Sequence, residues 1–283
     1  MDASPDSVWV TFDTEQSRSM LEGKNIFYVP YISPRDWRGT LRAYRLLAKF
    51  LRGHSFDAVY STGAAVALAA FLQPRLRKVL KTYIESVSRT EGPSLTGRMV
   101  SLLPSVRLLT QHRQWANGRW KYTESILSEY VTKEDEKTDQ GRPSLFVTLG
   151  TIKPYRFDSL VDAVIGTGLA DENTIWQLGS TARSDLPGRV YAHLPAGEFK
   201  KAALEASVVI THAGVGTVVQ LLDWGKSPVV VPREKSKNEH TDNHQFQISD
   251  LLVDRKLAVV TRAHELSATH LKRAMKQRTE IHE

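Results

Sequence analysis

The stretch from Val208 to Gln245 constrains the fold more than any other part of this chain. Val208-Val209-Ile210 is a short apolar β-branched run of the kind that makes a buried strand. It stops at Thr211-His212-Ala213-Gly214-Val215-Gly216-Thr217, a turn with two glycines and two hydroxyls. An apolar helical segment follows from Val218 to Trp224, and Gly225 is placed to end it. A second apolar run, Pro228 to Pro232, reads as another buried strand. The character then turns polar, with Arg233, Glu239, His240, Asp242, Asn243, His244 and Gln245.

Strand, glycine turn, helix and strand in this order have a physical use. A turn without side-chain bulk lets a ligand approach the backbone, and the helix behind it offers unpaired N–H groups to an anion. In a parallel α/β sheet such turns lie at the carboxyl ends of the strands, where ligands bind. The stretch therefore proposes a pocket for a phosphorylated ligand, with carboxamides, imidazoles and carboxylates suited to hydroxyl-rich groups. A glycine turn also occurs for steric reasons alone.

The same alternation runs along the rest of the chain. Val8 to Phe12, Ile26 to Pro30, Asp57 to Tyr60 and Val79 to Ile84 read as strands, and Thr14 to Leu21, Arg38 to Arg52 and Ala64 to Leu72 as helices. Leu95 to Leu109 reads as an apolar stretch broken by Pro104, with Leu108 to Gln111 closing the first half. Residues from about Ser128 to Arg142 lose apolar periodicity and read as a linker. The second half has strands at Leu145–Leu149, Thr174–Leu178, Val190–His193 and Leu257–Val260, a helix at Glu198–Ala206 and a basic terminal helix from Ser267 to His282. The expectation is an α/β protein with two Rossmann-like parallel-sheet domains facing a cleft, residues 1–137 and 143–283.

Composition narrows the partners. The net charge is +7, which suits nucleic acid, anionic membrane or phosphorylated substrates. No nucleic-acid module is present, and the aromatics are not interleaved with basic residues as stacking platforms require, so nucleic acid is not expected. The chain has no cysteine, which excludes disulfides and thiolate metal sites and fits a reducing compartment. Its most apolar run, Ala64 to Leu72, is too short to span a bilayer. Arg38, Arg42, Arg45, Lys49 and Arg52 share one helix face beside Leu41, Tyr44, Leu47, Ala48 and Leu51. Such a stripe is a solvated face or a contact for anionic lipid, and Leu95 to Leu109 with Arg98 and Arg107 offers a second interfacial stretch.

The compound motif of residues 211–217, Pro232-Arg233 and Glu239-His240-Thr241-Asp242-Asn243-His244-Gln245 resembles the donor-binding half of GT-B glycosyltransferases. The family includes the peptidoglycan N-acetylglucosaminyltransferase, the two-subunit dolichol-linked enzyme and bacterial exopolysaccharide transferases. Ser61-Thr62-Gly63, the strand to Ile84, Glu85-Ser86 with Arg89 and Thr96-Gly97-Arg98 are similar to the acceptor-side half. The resemblance implies an inverting transfer from a UDP-sugar to a polyprenyl-linked or other saccharide acceptor, in cell-surface polysaccharide synthesis. No cofactor or metal is obligatory. The expected location is the cytoplasmic face of the membrane, peripherally, with a homo-oligomer or a partner chain possible.

The resemblance also distributes roles. Gly150 and Thr151, and His212, Ala213, Gly214, Val215, Gly216 and Thr217, fall to the donor, with Gln220 where some relatives carry a ribose-binding glutamate. Arg233 falls to the diphosphate or to capping a strand end, and Glu239, His240, Asp242, Asn243 and Gln245 to the sugar and nucleotide. Thr62, Gly63, Ser86, Arg89 and Arg98 fall to the acceptor side. Glu85, at the carboxyl edge of a strand, is the candidate catalytic base, its ordinary alternative being an ion pair with Arg89. His240 and His244, spaced i, i+4, also permit a metal-dependent hydrolase. One departure stands out: relatives open on an apolar strand and a glycine–glycine–histidine turn, which this sequence lacks. The expected consequence is a gap in the first sheet, which favours the alternative of a non-catalytic donor-binding subunit.

Overall fold

The computed structural model describes residues 4–33, 35–135, 141–150, 155–240 and 244–282, and they form two compact units, Met1–Glu124 and Ser125–Glu283. The first unit runs β1 (Val8–Phe12), α1 (Glu15–Met20), β2 (Asn25–Val29), α2 (Trp37–Phe50), β3 (Ala58–Ser61), α3 (Val66–Phe71), β4 (Leu80–Ile84), α4 (Leu95–Val100), β5 (Val106–Thr110) and β6 (Trp120–Tyr122). The second runs β7 (Tyr130–Glu134), β8 (Leu145–Thr148), α5 (Asp158–Gly166), β9 (Ile175–Gln177), β10 (Arg189–Tyr191), α6 (Ala196–Glu205), β11 (Val208–His212), α7 (Val215–Asp223), β12 (Val229–Val231), α8 (His244–Asp254), β13 (Val259–Val260), α9 (Ala268–Met275) and β14 (Gln277–Ile281).

In the second unit one parallel sheet has the order β10-β9-β8-β11-β12-β13. Counted from β8 this is the doubly wound order 3-2-1-4-5-6, which reverses between β8 and β11. Both faces of the central strands are covered, which is why their sequences are continuous apolar runs rather than alternating ones. Leu145, Val147, Ile210, Val229 and Val231 pack with Leu160, Val161 and Val164 of α5 and Leu271 of α9. Phe146, Val209 and Leu221 pack on the other side with Phe199, Ala202 and Ala203 of α6. Each such fully buried side chain contributes roughly 1.5–3 kcal/mol of transfer free energy.

The first unit has the same alternation but a divided sheet. β1 pairs in parallel with β2, and β3-β4-β5-β6 form a separate four-stranded parallel sheet. Among the described residues no strand pairs with the outer edge of β1 or of β3, so the expected gap is present. α2 and α3 hold the two ribbons together through Ala43, Leu47 and Ala69, packed against Val10, Phe12 and Phe27. Asp36 caps α2 by accepting the Gly39 N–H at 2.8 Å. The basic stripe Arg38, Arg42, Arg45, Lys49 and Arg52 is exposed. So is Leu41, although the apolar stripe places it inward; Ala43 takes the buried position instead.

Four sequence expectations need correction. The Leu95–Leu109 stretch is a short helix, α4, capped by Ser94, followed by the strand β5. β5 is not the last strand of its sheet, because β6 pairs beside it in parallel. The expected linker contains β7, and the expected terminal helix ends early in β14, the two strands pairing antiparallel from Tyr130↔Ile281 to Glu134↔Gln277. Their sequences (YVTKE and QRTEI) are mostly polar, and each strand buries only one residue fully, Tyr130 and Thr279, a pattern easily mistaken for a solvated segment. α8 begins at His244, within the polar run that follows β12.

Candidate functional site

The second unit brings the two glycine turns of the sequence together at the reversal point of its sheet. β8 and β11 are neighbours in register, Thr148 opposite Thr211, so the turn at Leu149-Gly150 and the turn at Ala213-Gly214 leave the same edge. The imidazole of His212 fills the space between them. A methyl at Gly150 would stand 2.6 Å from His212 Nε2, and one at Gly214 2.3 Å from the same atom. Gly150 also has φ +75°, in the left-handed region that favours glycine. Both glycines are therefore explained by the histidine packed on them.

Gly216 is different. It is exposed, and a methyl there would meet nothing within 4 Å. It lies in the first turn of α7, whose N-cap, Gly214, gives no side-chain hydrogen bond to the helix end. Gly214 donates its own N–H to the His212 carbonyl at 2.8 Å, and its carbonyl accepts from Val218. The N–H groups of the first turn are thus presented at an open, bare surface, and the helix dipole adds partial positive charge there. Val215 and Thr217 are half-buried beside Gly216, and Gln220 is half-buried one turn farther along α7.

His212 is held neutral. Its pKa is lowered to about 3, first by burial, then by the charge of Arg233 and by the neighbouring His240, against a bond to the Thr148 backbone that raises it. Thr211 Oγ1 lies 3.4 Å from His212 Nδ1. At neutral pH the ring offers one donor and one acceptor nitrogen and no charge.

Arg233, Glu239 and Gln245 are brought together, but turned into the protein. Arg233 is 0% exposed. Its Nη1 donates to the carbonyls of Tyr155 (3.3 Å), Arg156 (3.1 Å) and Glu239 (3.1 Å), and its Nη2 to that of Leu149 (2.5 Å). The Phe157 ring lies 4.7 Å from the guanidinium carbon. Burial lowers the Arg233 pKa to about 10, which leaves it charged at neutral pH. Its backbone N–H donates to Gln245 Oε1 at 2.9 Å. Glu239 accepts from the Glu234 N–H at 3.0 Å and from the Ser159 hydroxyl. His240 is buried with its ring 6.1 Å from that of Tyr155. Thr151, Asp242 and Asn243 lie outside the described residues, as does the His244 side chain. Among the described residues no group of three or more metal-ligating side chains converges.

In the first unit, Thr62-Gly63 and Glu85-Ser86 share the carboxyl edge of β3 and β4, where Ser61 is opposite Tyr83. Glu85 is 2% exposed and its carboxylate is fully engaged. Oε1 accepts from the Ser86 N–H (3.1 Å) and the Tyr83 hydroxyl (3.4 Å); Oε2 accepts from the Ser94 N–H (2.9 Å) and hydroxyl (3.0 Å). Ser94 in turn accepts the Gly97 N–H and so caps α4. A methyl at Gly97 would come within 2.2 Å of Glu85 Oε2. Burial, and then the charge of Glu85, push the Tyr83 phenol well above its usual range. This is the surrounding of a carboxylate that organises a loop. Arg89 is half-buried behind it and Arg98 is exposed on α4.

Sequence reading missed the residues that hold the 85–94 loop. Gln111 donates to the Glu85 carbonyl (3.1 Å), His112 to that of Val87 (2.6 Å), Trp115 to that of Arg89 (2.9 Å) and Gln114 to that of Thr90 (3.1 Å). The run Gln111-His112-Arg113-Gln114-Trp115 directly after an apolar strand was the available signal.

Residues 195–282 match the Glycosyltransferase family 28 C-terminal domain. No curated protein matches the chain. The crystal structure of Acinetobacter baumannii MurG is similar with a TM-score of 0.55 at 17% identity, over 94% of this chain and 79% of that one. The calicheamicin glycosyltransferase CalG4 has a TM-score of 0.56 at 15% identity, over 95% and 80%. The spinosyn forosaminyltransferase SpnP has 0.53 at 14%, over 95% and 81%. At these identities the structural likeness is one of fold.

Proposed function

We propose that this chain is a family 28-like glycosyltransferase of the GT-B fold that moves a sugar from a UDP-sugar to a polyprenyl-linked acceptor with inversion at the anomeric carbon. The observation that carries the donor part is the exposed, uncapped first turn of α7, with bare Gly216 beside the neutral His212. In this reading the donor diphosphate lies on the α7 N–H groups, which stabilise the negative charge that grows as the sugar–phosphate bond breaks. His212 contributes a neutral hydrogen bond, so that its protonation state is constant over the working pH range. Gln220 reaches a ribose hydroxyl, a contact a carboxamide can make.

The acceptor loop is the 85–94 segment, with Thr62, Gly63, Ser86, Arg89 and Arg98 around it. Inversion needs a group to take the acceptor hydroxyl proton. The four donors on Glu85 weigh against that task for it and support a role in holding Ser86 and α4 in place. A peripheral position on an anionic membrane is supported by the exposed basic face of α2 together with Trp37, 67% exposed, and by Leu95, Met99 and Leu102 beside Arg98 on and after α4. No described helix is long and apolar enough to cross a membrane.

Calorimetric titration with UDP, beside the Gly216→Asp variant, tests the donor site. Binding by the chain that the variant loses supports it, because Gly216 has room for a carboxylate that would repel the diphosphate. Absence of binding to the folded chain overturns it. The divided first sheet favours a second reading, a donor-binding subunit that works only with a complementing polypeptide. Turnover by the purified chain alone would eliminate that second reading.

A further inference from the structure

Arg233 carries a full charge into a fully buried site and, among the described residues, makes no salt bridge there, although an apolar side chain would fill the same space at less cost. Its nearest compensating charge is Glu239, whose carboxylate is committed to Ser159 and to the Glu234 N–H. What the guanidinium does touch is backbone. Its four carbonyl acceptors come from the end of β8 (Leu149), the segment entering α5 (Tyr155, Arg156) and the segment after β12 (Glu239). Nε has no hydrogen-bond partner among the described residues, so the group is not placed to satisfy itself; it is placed to reach those carbonyls. The forked, planar geometry of arginine can bridge several acceptors at once, whereas a lysine ammonium cannot span them.

We propose that Arg233 is a positioning residue that ties the β8 turn to the segment after β12, fixing Gly150, Glu239 and Gln245 relative to the α7 N-terminus without touching the donor itself. The proposal rests on the donor reading above and sharpens it. One of the segments it joins bears directly on His212, since Gly150, next to the Leu149 carbonyl that Arg233 holds, packs on the imidazole. Gln245 reinforces the tie by accepting the Arg233 N–H from the first turns of α8. A guanidinium surrounded by carbonyls in this way is unavailable to a phosphate. That distinguishes it from the diphosphate-neutralising role which its place in the sequence suggests.

The test compares the wild-type chain with Arg233→Lys, which keeps the charge and loses the fork. Two quantities are read: UDP affinity by calorimetry, and amide hydrogen exchange at Leu149, Phe157, Arg233 and Glu239. The expected result is UDP binding weakened by about tenfold or more, together with faster exchange in both segments. Where turnover is measurable, the donor KM rises while kcat stays within about threefold, a split that general loss of stability would not produce. Unchanged exchange, or unchanged UDP affinity with faster exchange, overturns the proposal. Should Arg233→Lys fail to fold, Ser159→Ala decides by the same readouts. It frees the Glu239 carboxylate and should weaken UDP binding about threefold. If the wild type itself binds no UDP, the donor reading falls, and exchange alone then judges the tie.

Discussion

The two units of this chain solve the same problem with different completeness. In the second, β8 is fully buried within a six-stranded parallel sheet, and its neighbours β9 and β11 are buried except at Ile175 and His212. In the first, the same order of elements lacks a strand at that position among the described residues, and β1 and β3 are only half-buried where β4 and β5 are largely buried. Each unit nevertheless sets a glycine against a buried or half-buried polar side chain at its sheet's carboxyl edge: Gly150 and Gly214 on His212, Gly97 on Glu85. A central strand thus matters more for sheet cohesion than for the local geometry of the turns. Capping and carbonyl clamps can shape a loop even where the sheet beneath it is divided.

The comparison breaks most visibly in hydrogen exchange. Amides of β8, β11 and β12 should exchange through global opening of their unit, and those of β1 and β2 through a local opening that costs less, because their ribbon is held chiefly by α2 and α3. A difference of about 100-fold or more in protection is expected. Equal protection in the two sheets would mean that α2 and α3 replace the missing pairing in full.

Next in size are the packed glycines. Gly150→Ala must adopt φ +75° and displace His212, at a cost of about 2–4 kcal/mol, and Gly214→Ala must displace it without the backbone strain, at about 1–3 kcal/mol. Gly97→Ala in the first unit should cost about as much as Gly214→Ala, because Glu85 is pinned by four donors. Chemical denaturation of the three variants orders them. A harmless Gly97→Ala would show that the Glu85 cluster is looser than its hydrogen bonds suggest.

Glu85→Gln separates base from organiser. A catalytic base removed in this way costs on the order of 10²–10⁴ in kcat. An organising carboxylate should cost about tenfold, with lower stability, since the amide keeps one acceptor oxygen and turns a donor NH2 toward either the Ser86 or the Ser94 N–H.

Much of the second unit was legible in its sequence because buried parallel strands write themselves as uninterrupted β-branched runs, Val208-Val209-Ile210 and Val229-Val230-Val231 among them. The two glycine turns were legible for the same reason, as bare points between apolar runs. What their glycines are for was not: only the packing of His212 separates Gly150 and Gly214, which are steric, from Gly216, which is open. Arg233 in sequence is a cation just after an apolar strand; its burial depends on carbonyls from residues 149, 155, 156 and 239, which no local pattern announces. The β7–β14 pair was hidden because its partners are far apart in the chain and each is mostly polar.

His212 offers a pH test. An imidazole whose folded pKa is about 3 and whose unfolded pKa is near 6.5 takes up its proton only on unfolding, so its contribution to stability is full above about pH 6.5 and is lost as pH falls toward 3. Between pH 7.5 and 5 the linkage value is roughly 2 kcal/mol, reduced to about 1 kcal/mol because the ring keeps some access to water. Melting curves of the wild type and His212→Asn at both pH values should show that loss only in the wild type. Equal loss in both would assign the pH sensitivity to other groups.

The smallest effect on the fold is expected at Gly216. A methyl there meets nothing, and alanine in the first turn of a helix reduces the freedom of the unfolded chain, so Gly216→Ala should leave stability unchanged or raise it by about 0.5–1 kcal/mol. On the proposed donor reading the same methyl would stand where the diphosphate comes closest to the backbone, so UDP binding should weaken as the fold gains. Gly150→Ala damages both together. A residue whose replacement helps the protein and harms the ligand is held by the ligand, and that opposition is what separates a binding turn from a packing turn within the same sheet edge.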